Sequence, residues 1–193
     1  MKRFILATLL AAAGFNANAV VMDFNQLTGS SLVNRGIHYE EDGFQLDTAA
    51  GGIGFNSIHA DDYRYDGSIG FFNRTADAIT TLTKIGGGLF SLDSIDLDSL
   101  NGNNQVTVTF IGTLLNNSTI STSFSPNSPN GLQTFTFGTA FDNVKSVSWS
   151  QDPNYHSFDN INVSAQVPEP GTVAMLGLGL LAFTAARRKS AKK

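Results

Sequence analysis

The chain of 193 residues contains no cysteine. This absence excludes disulfide bonds, a cysteine nucleophile, c-type haem attachment and a lipid-modified N-terminal cysteine. A protein that leaves the cytosol can use disulfides to hold a small domain together. If this chain is exported, its fold must therefore be held by packing of an apolar core or by a bound metal ion.

Charged residues are also scarce, at 15% of the chain, and they are unevenly distributed. Seven of the twelve lysines and arginines lie in the two ends of the chain. Between Val20 and Gln166, five basic residues stand against fifteen acidic ones, which gives this segment a net charge of −10. Such a surface repels the phosphates of nucleic acids and attracts divalent cations, so we expect no nucleic-acid partner.

Familiar catalytic motifs are missing as well. The sequence has no G-x-S-x-G, no H-E-x-x-H and no phosphate-binding loop. His38, His59 and His156 lie far apart, and the adjacent Glu40 and Glu41 should point to opposite sides of an extended chain. We therefore predict a protein that is not an enzyme. The aspartates are numerous enough to leave a carboxylate-dependent hydrolase as the alternative.

The N-terminus has the order of a secretory signal. Two basic residues, Lys2 and Arg3, precede a mainly apolar stretch of twelve residues. Ala17 and Ala19 then supply small side chains at the two positions that a signal peptidase inspects. This order predicts a signal helix over residues 1–19 that signal peptidase removes after Ala19. The alternative is a buried N-terminal helix.

A second signal lies at the C-terminus. Its parts are a motif at 167–170 with Pro168, Glu169 and Pro170, a hydrophobic helix over 171–186, and a tail at 187–193 that begins with Arg187, Arg188 and Lys189. The prolines keep the motif extended, so that an enzyme cleft can bind it. The fourteen most apolar residues form about 21 Å of helix, which is short for a hydrocarbon core of about 30 Å. A short span followed by cations favours transient anchoring in the inner membrane, with the tail on the cytoplasmic side.

The residues from Val167 to Lys193 resemble the PEP-CTERM sorting domain of Gram-negative bacteria. Proteins with this domain are processed by exosortase, a membrane protease, often in strains that make exopolysaccharide and biofilm. The resemblance implies export to the periplasm, the outer cell surface or the extracellular matrix. It implies nothing about the ligand of the domain at 20–166. The alternative is a proline-rich linker before an ordinary C-terminal anchor.

Residues 20–166 alternate between apolar and polar side chains in short runs that are separated by turn residues. Ten strands are expected, at Val20–Phe24, Gly43–Leu46, Ile69–Phe72, Ala78–Thr83, Leu89–Ile95, Gln105–Ile111, Thr119–Phe124, Thr134–Phe137, Val147–Trp149 and Ser157–Val163. No segment between them keeps a helical period. Short strands without intervening helices predict an all-β fold, an antiparallel β-sandwich of the jelly-roll type.

The segments Val21–Phe24 and Phe158–Val163 are similar to the first and last strands of galactose-binding-like carbohydrate-binding modules. Tyr63, Tyr65 and Tyr155 lie in or beside expected loops, where flat rings could stack on sugar faces. Trp149 shares a strand face with Val147, so we expect it in the core.

One aspartate of the last strand is a candidate metal ligand. Asp159 shares a side of that strand with Ile161 and Val163, so its carboxylate should be buried and should need a partner. In the sandwiches that the chain resembles, an aspartate here helps to hold a structural Ca²⁺ with residues of the first strand, which implies Asp23 as a second ligand. The alternative is that Asp159 accepts hydrogen bonds from the backbone amides of a β-bulge.

Together these observations predict an exported protein of the cell envelope or extracellular matrix. Its domain would bind exopolysaccharide, another carbohydrate or a surface protein without turning it over. A secreted hydrolase and a purely structural envelope protein are the alternatives.

The two terminal signals predict the mass of the mature protein. Intact-mass analysis of protein recovered from its native envelope should show loss of residues 1–19 and of the residues after the Pro-Glu-Pro motif. Recovery of the full-length, unclipped polypeptide among cytoplasmic proteins would contradict both signals.

Overall fold

The computed structural model describes residues 17–49, 51–101, 105–126 and 131–166. A compact unit spans Asn18–Ala165. Both predicted helices lie outside the described residues, apart from the last three residues of the signal segment, which begin the first strand. Across the described ranges, no helix is long and apolar enough to cross a membrane.

The described residues form thirteen strands and one turn of 3-10 helix, Thr139–Phe141. In chain order the strands are β1 (Ala17–Met22), β2 (Leu32–Gly36), β3 (His38–Glu41), β4 (Phe44–Thr48), β5 (Phe55–Ile58), β6 (Gly70–Asn73), β7 (Ile79–Lys84), β8 (Phe90–Ser99), β9 (Val108–Leu114), β10 (Thr119–Phe124), β11 (Gln133–Thr136), β12 (Val144–Ser150) and β13 (His156–Gln166). The predicted all-β fold is confirmed, and each of the ten expected strands overlaps one of these.

The strands are arranged in two layers. The first has the order β2-β5-β6-β13-β8-β11, with β1 also beside β13, and the second has the order β3-β4-β7-β12-β9-β10. Neighbours pair antiparallel, for example β12 with both β7 and β9. A single pairing, Val144 opposite Phe90, joins the two layers into one continuous sheet. This nearly closed antiparallel arrangement agrees with the predicted sandwich.

Aromatic side chains fill the space between the layers. The ring of Phe71 stacks on Phe24 at 4.6 Å and meets the edge of Phe158 at 5.8 Å. Phe158 in turn meets Trp149 at 5.2 Å, and Trp149 lies 5.2 Å from Phe110. Trp149 is buried, as expected from its strand face. Each such ring pair contributes about 0.5–1.5 kcal/mol beyond the burial of its apolar surface.

The second layer turns a hydroxyl-rich surface to solvent, which we call the hydroxyl face. One row crosses β10, β9, β12 and β7 through Thr119, Thr113, Ser146 and Thr83, and the next crosses the same strands through Ser121, Ile111, Ser148 and Thr81. All eight side chains are at least partly exposed. The period-two patterns of these strands therefore separate an apolar inner face from an outer face on which seven of these eight side chains carry hydroxyls and Ile111 is the exception.

Among the described glycines, Gly54 is the position where the backbone geometry is most restrictive. Its φ is +84°, and a Cβ atom there would lie 2.2 Å from the carbonyl oxygen of Gly36. Gly43 has the same φ of +84°, but nothing lies within 4 Å of its Cβ position. The two glycines therefore separate the cost of a left-handed conformation from the cost of a steric clash.

We expect Gly43→Ala to lower the free energy of unfolding by about 1–2 kcal/mol, the cost of placing an L-residue in this region. Gly54→Ala should lower it by considerably more, because the backbone of β2 must also move. Urea unfolding of the two variants measures the difference. Equal losses would show that the contact with Gly36 is not restrictive.

Candidate functional site

The loop between β5 and β6 presents an exposed aromatic ring on a rigid frame. Tyr63 is 88% exposed, the largest value among the large apolar side chains of the described residues. Its loop, residues 61–67, is called the Tyr63 loop below. The amide of Asp62 donates to the carbonyl of His59 at 2.9 Å, and the amide of Tyr65 donates to the carbonyl of Asp62 at 3.0 Å. These bonds fix the backbone on both sides of Tyr63.

An ion pair completes the frame of the Tyr63 loop. Arg64 donates from Nε to Oδ1 of Asp62 and from Nη2 to Oδ2, both at 2.8 Å. Hydrogen bonds from Arg64 hold the pKa of Asp62 below its usual value. The guanidinium carbon of Arg64 lies 5.0 Å from the ring centre of Tyr63 and 5.9 Å from that of Phe72. This bidentate pair orients Arg64 beside the exposed ring.

The other tyrosines suggested by the sequence support the loop instead of extending from it. Tyr65 and Tyr155 are partly buried and pack on a small apolar cluster of Ile58, Phe72 and Leu100. The ring of Tyr155 meets the edge of Phe72 at 6.2 Å. Of the three loop tyrosines, Tyr63 alone has a largely free ring.

Asp159 is buried, as the sequence predicted, but for a different reason. A β-bulge follows it, since Asn160 has a φ of +46° and the pairing with β8 shifts between Asp159 and Asn162. Phe158 instead of Asp159 therefore joins Ile161 and Val163 in the main core. The expectation that Asp159 shares their side was wrong, because a bulge changes the side on which later residues point.

The bonding of Asp159 includes the bulge contact expected from the sequence. Its Oδ1 accepts a hydrogen bond from the amide of Asn160 at 2.7 Å, and its Oδ2 has no hydrogen-bond partner among the described residues. Burial raises the pKa of Asp159 to about 7, against the opposing effect of a hydrogen bond with Ser68, and the charges of Asp96 and Asp66 raise it further.

The structure places the second candidate ligand, Asp23, in other surroundings. Its Oδ1 accepts a hydrogen bond from the amide of Asn25 at 3.0 Å. Burial is the main cause of the raised pKa values of Tyr39 and Glu41, and the charge of the nearby Asp23 raises both pKa values further. No group of three or more histidines, aspartates and glutamates in the described ranges could hold a metal ion. A calcium site that uses Asp23 and Asp159 with further oxygen ligands stays a prediction.

One polar cluster was not predicted from the sequence. Oγ of Ser57 lies 2.8 Å from Nε2 of His59, which resembles a nucleophile and its base. However, Arg35 donates from Nε to the same Oγ at 2.7 Å and lies 2.9 Å from Nε2 of His59 through Nη2. Burial and the Arg35 charge lower the pKa of His59. The hydrogen bonds of Arg35 connect β2 to β5. Because Ser57 is fully buried, its hydroxyl is not accessible to a substrate as a nucleophile.

The remaining predicted site residues belong to the two signals. Ala17 and Ala19 lie in β1. Pro168, Glu169 and Pro170, together with Arg187, Arg188 and Lys189, lie outside the described residues.

Comparison with known proteins supports the C-terminal signal. The model of the PEP-CTERM protein-sorting motif matches residues 166–189. The predicted motif, hydrophobic segment and first basic residues all lie within this match. Such a motif implies exosortase processing and export through the cell envelope. No curated protein matches the chain.

Several solved structures are similar to the folded unit. A family 29 carbohydrate-binding module has 15% identity and a TM-score of 0.43, over 77% of this chain and 89% of its own. A family 11 module from Clostridium thermocellum, solved with a β-1,3-1,4-mixed-linked tetrasaccharide, has 12% identity and a TM-score of 0.34, over 79% of this chain and 98% of its own. These similarities concern the fold and give no information about a ligand of this chain.

The raised pKa of Asp159 predicts how stability depends on pH. Between about pH 4 and pH 7 the native state keeps this carboxyl protonated while the unfolded chain ionises it. The free energy of unfolding that Asp159 contributes should therefore fall as pH rises through this window. Asp159→Asn removes the titration, so urea unfolding at a series of pH values should show wild type losing stability relative to the variant between pH 4 and pH 7.

Asp77→Asn, at an exposed aspartate, is the matched control and should leave the pH profile unchanged. Parallel profiles for wild type and Asp159→Asn would contradict the raised pKa. The same variant tests calcium at pH 8. If Asp159 binds the ion, chelator lowers the melting temperature of wild type but not that of the variant; if the wild-type melt is unchanged, the calcium site should be dropped.

Proposed function

We propose that this exported domain is a carbohydrate-binding module of the cell envelope or extracellular matrix, and that it binds polysaccharide through the Tyr63 loop. The observation that carries the proposal is the exposed ring of Tyr63, held beside Arg64 by the Arg64–Asp62 ion pair. Export is implied by the sorting motif at 166–189. The delivery of the domain to a polysaccharide matrix is part of the proposal.

The chemistry of the loop suits a sugar. A flat ring binds the apolar face of a pyranose by stacking, and an amphipathic ring loses little entropy when it does so. The guanidinium of Arg64 can direct further N–H groups to sugar hydroxyls, because a guanidinium has five donors and Asp62 takes two. A preformed loop avoids the ordering cost that a mobile loop would add to binding.

A binding role agrees better than hydrolysis with the carboxylates of the described residues. A glycosidase acid needs a raised pKa and contact with the glycosidic oxygen. Asp159 has a suitable pKa of about 7, but it is 0% exposed. Burial raises the pKa of Glu41 also, but its Oε2 accepts hydrogen bonds from the hydroxyl of Tyr39 and the amide of Phe24. These contacts give Glu41 a structural role.

The proposal predicts the effect of removing the ring. Tyr63→Ala should weaken binding to the polysaccharide of the producing strain by up to roughly tenfold, since a stacked ring contributes about 0.5–1.5 kcal/mol. Tyr63→Phe should bind nearly as well as wild type, because the ring is retained. Affinity electrophoresis in gels that contain the isolated polysaccharide measures both.

Ile53→Ala removes an exposed apolar side chain from a different loop and should leave the affinity unchanged. Loss of binding in all three variants would indicate general damage to the surface and would contradict a specific role for Tyr63. If wild type itself is not retained by the polysaccharide or by any glycan of an array, a structural role in the envelope is favoured. Release of reducing sugars would favour the hydrolase.

A further inference from the structure

A groove of about 490 Å³ opens at one end of the second layer. None of its lining residues belongs to the Tyr63 loop. It is lined by Gln45, Thr83, Lys84, the glycines of residues 86–88, Leu89, Leu115 and Lys145. These residues come from β4, β7, the β7–β8 connection, the β9–β10 turn and β12. We call it the lysine groove.

The charge of the lysine groove is opposite to that of the domain. Two of the five basic residues between Val20 and Gln166, Lys84 and Lys145, line it, and no carboxylate does. Lys145 donates to Oδ1 of Asn117 at 2.7 Å, which is a neutral acceptor. Within the described ranges, neither lysine forms a salt bridge. Two ammonium groups in one concave site, without an acidic partner, form a place for an anion.

Two other basic residues of the domain are held by contacts within the domain. Arg35 is hydrogen-bonded to Ser57 and to the carbonyl of Thr28, and Arg64 is paired with Asp62. Of the five basic residues, Arg35 and Arg64 are therefore paired within the domain, Arg74 is exposed elsewhere, and the remaining two line the groove. Asp47 lies beyond Gln45 on this side of the sheet, and its carboxylate is held by Nδ1 of His38 at 2.6 Å and by Nε2 of Gln45 at 2.8 Å. Those contacts reduce its repulsion of an anion.

The rest of the groove wall indicates a ligand larger than a simple ion. Leu115 is 70% exposed at the groove, which suits an apolar sugar face but adds nothing to binding of a small oxyanion. Gly86 and Gly87 have nothing within 4 Å of their Cβ positions, so their backbone is open to contact. Thr83 belongs both to the groove and to the first row of the hydroxyl face. That row continues to Ser146, Thr113 and Thr119 over about 14 Å at the usual strand spacing.

We infer that the lysine groove is a second binding site, and that its ligand is an acidic polysaccharide with a carboxylate seated between Lys84 and Lys145. The adjoining sugars lie along the row of hydroxyls that begins at Thr83. This site uses none of the residues of the Tyr63 loop. It would remain if that loop bound nothing.

The test compares a charged polymer with its neutral form. Oligogalacturonate and its fully methyl-esterified counterpart share a backbone and differ in the carboxylate. Isothermal titration of the protein recovered from its native envelope should show binding of oligogalacturonate and at least tenfold weaker binding of the methyl-esterified form. Equal affinity for the two would overturn the inference, because the lysines would then play no part.

Variants separate the groove from general electrostatics. Lys84→Gln with Lys145→Gln should weaken oligogalacturonate binding at least tenfold, whereas Arg74→Glu, which changes the net charge by the same two units at an exposed position elsewhere, should weaken it less than twofold. Lys84→Arg with Lys145→Arg keeps the charge and should retain most of the affinity. An equal loss in the double lysine variant and in Arg74→Glu would overturn the inference.

Inorganic phosphate distinguishes a polysaccharide site from a small-anion site. We expect 10 mM phosphate to displace little oligogalacturonate, since phosphate cannot use the hydroxyl row or Leu115. Phosphate binding that is as tight as oligogalacturonate binding and equally sensitive to the lysine variants would contradict the assigned ligand class. Tyr63→Ala should bind oligogalacturonate as wild type does, so the outcome for this groove and the outcome for the Tyr63 loop can be read separately.

Discussion

The aromatic contact between the two layers is the interaction on which the rest of the molecule depends. Without cysteine, the domain has no disulfide bond, so packing of Phe71, Phe158 and Trp149 holds the layers together. The inner faces of both layers form this core, whereas their outer faces have different surroundings. The first layer is covered in part by the Tyr63 loop and its apolar cluster, whereas the hydroxyl face of the second layer remains open to solvent.

The start of β13 carries two buried titratable groups whose effects on stability oppose each other. Burial lowers the pKa of His156 to about 4, so its contribution to stability is lost as pH falls from about 6.5 toward 4. Burial raises the pKa of Asp159 to about 7, so its contribution is lost as pH rises through the same region. Between pH 4 and 6.5 the two contributions to the free energy of unfolding change in opposite directions and largely cancel. The pH dependence of stability in that range would then reveal neither titration. Above pH 7 only the cost of the buried carboxylate remains.

The sequence predicts the fold well where strands have one solvent-exposed face, because the alternation of apolar and polar residues then follows the alternation of buried and exposed side chains. It misses β2, β3 and β5 for physical reasons. In β5, Asn56 and Ser57 are buried along with their apolar neighbours, so no alternation appears. β2 and β3 contain few apolar residues, and their pairing with β5 and β4 depends on long-range register. Tyr63 could be proposed as exposed because it lies in a polar stretch, but the lysine groove could not, since Lys84 and Lys145 are sixty-one positions apart.

The distribution of positive charge gives the two proposed sites different roles in binding. A domain with a net charge of −10 repels a polyanion at long range, and at physiological ionic strength this repulsion is screened beyond about 8 Å. A neutral sugar chain approaches the Tyr63 loop without this barrier, while an acidic chain must come close before Lys84 and Lys145 act on it. Moderate salt therefore weakens the long-range repulsion between the domain and the polyanion, and it also weakens the local attraction of the polyanion to Lys84 and Lys145. Binding of an acidic polysaccharide should depend on salt much less steeply than it does for a basic protein, where both effects act in the same direction.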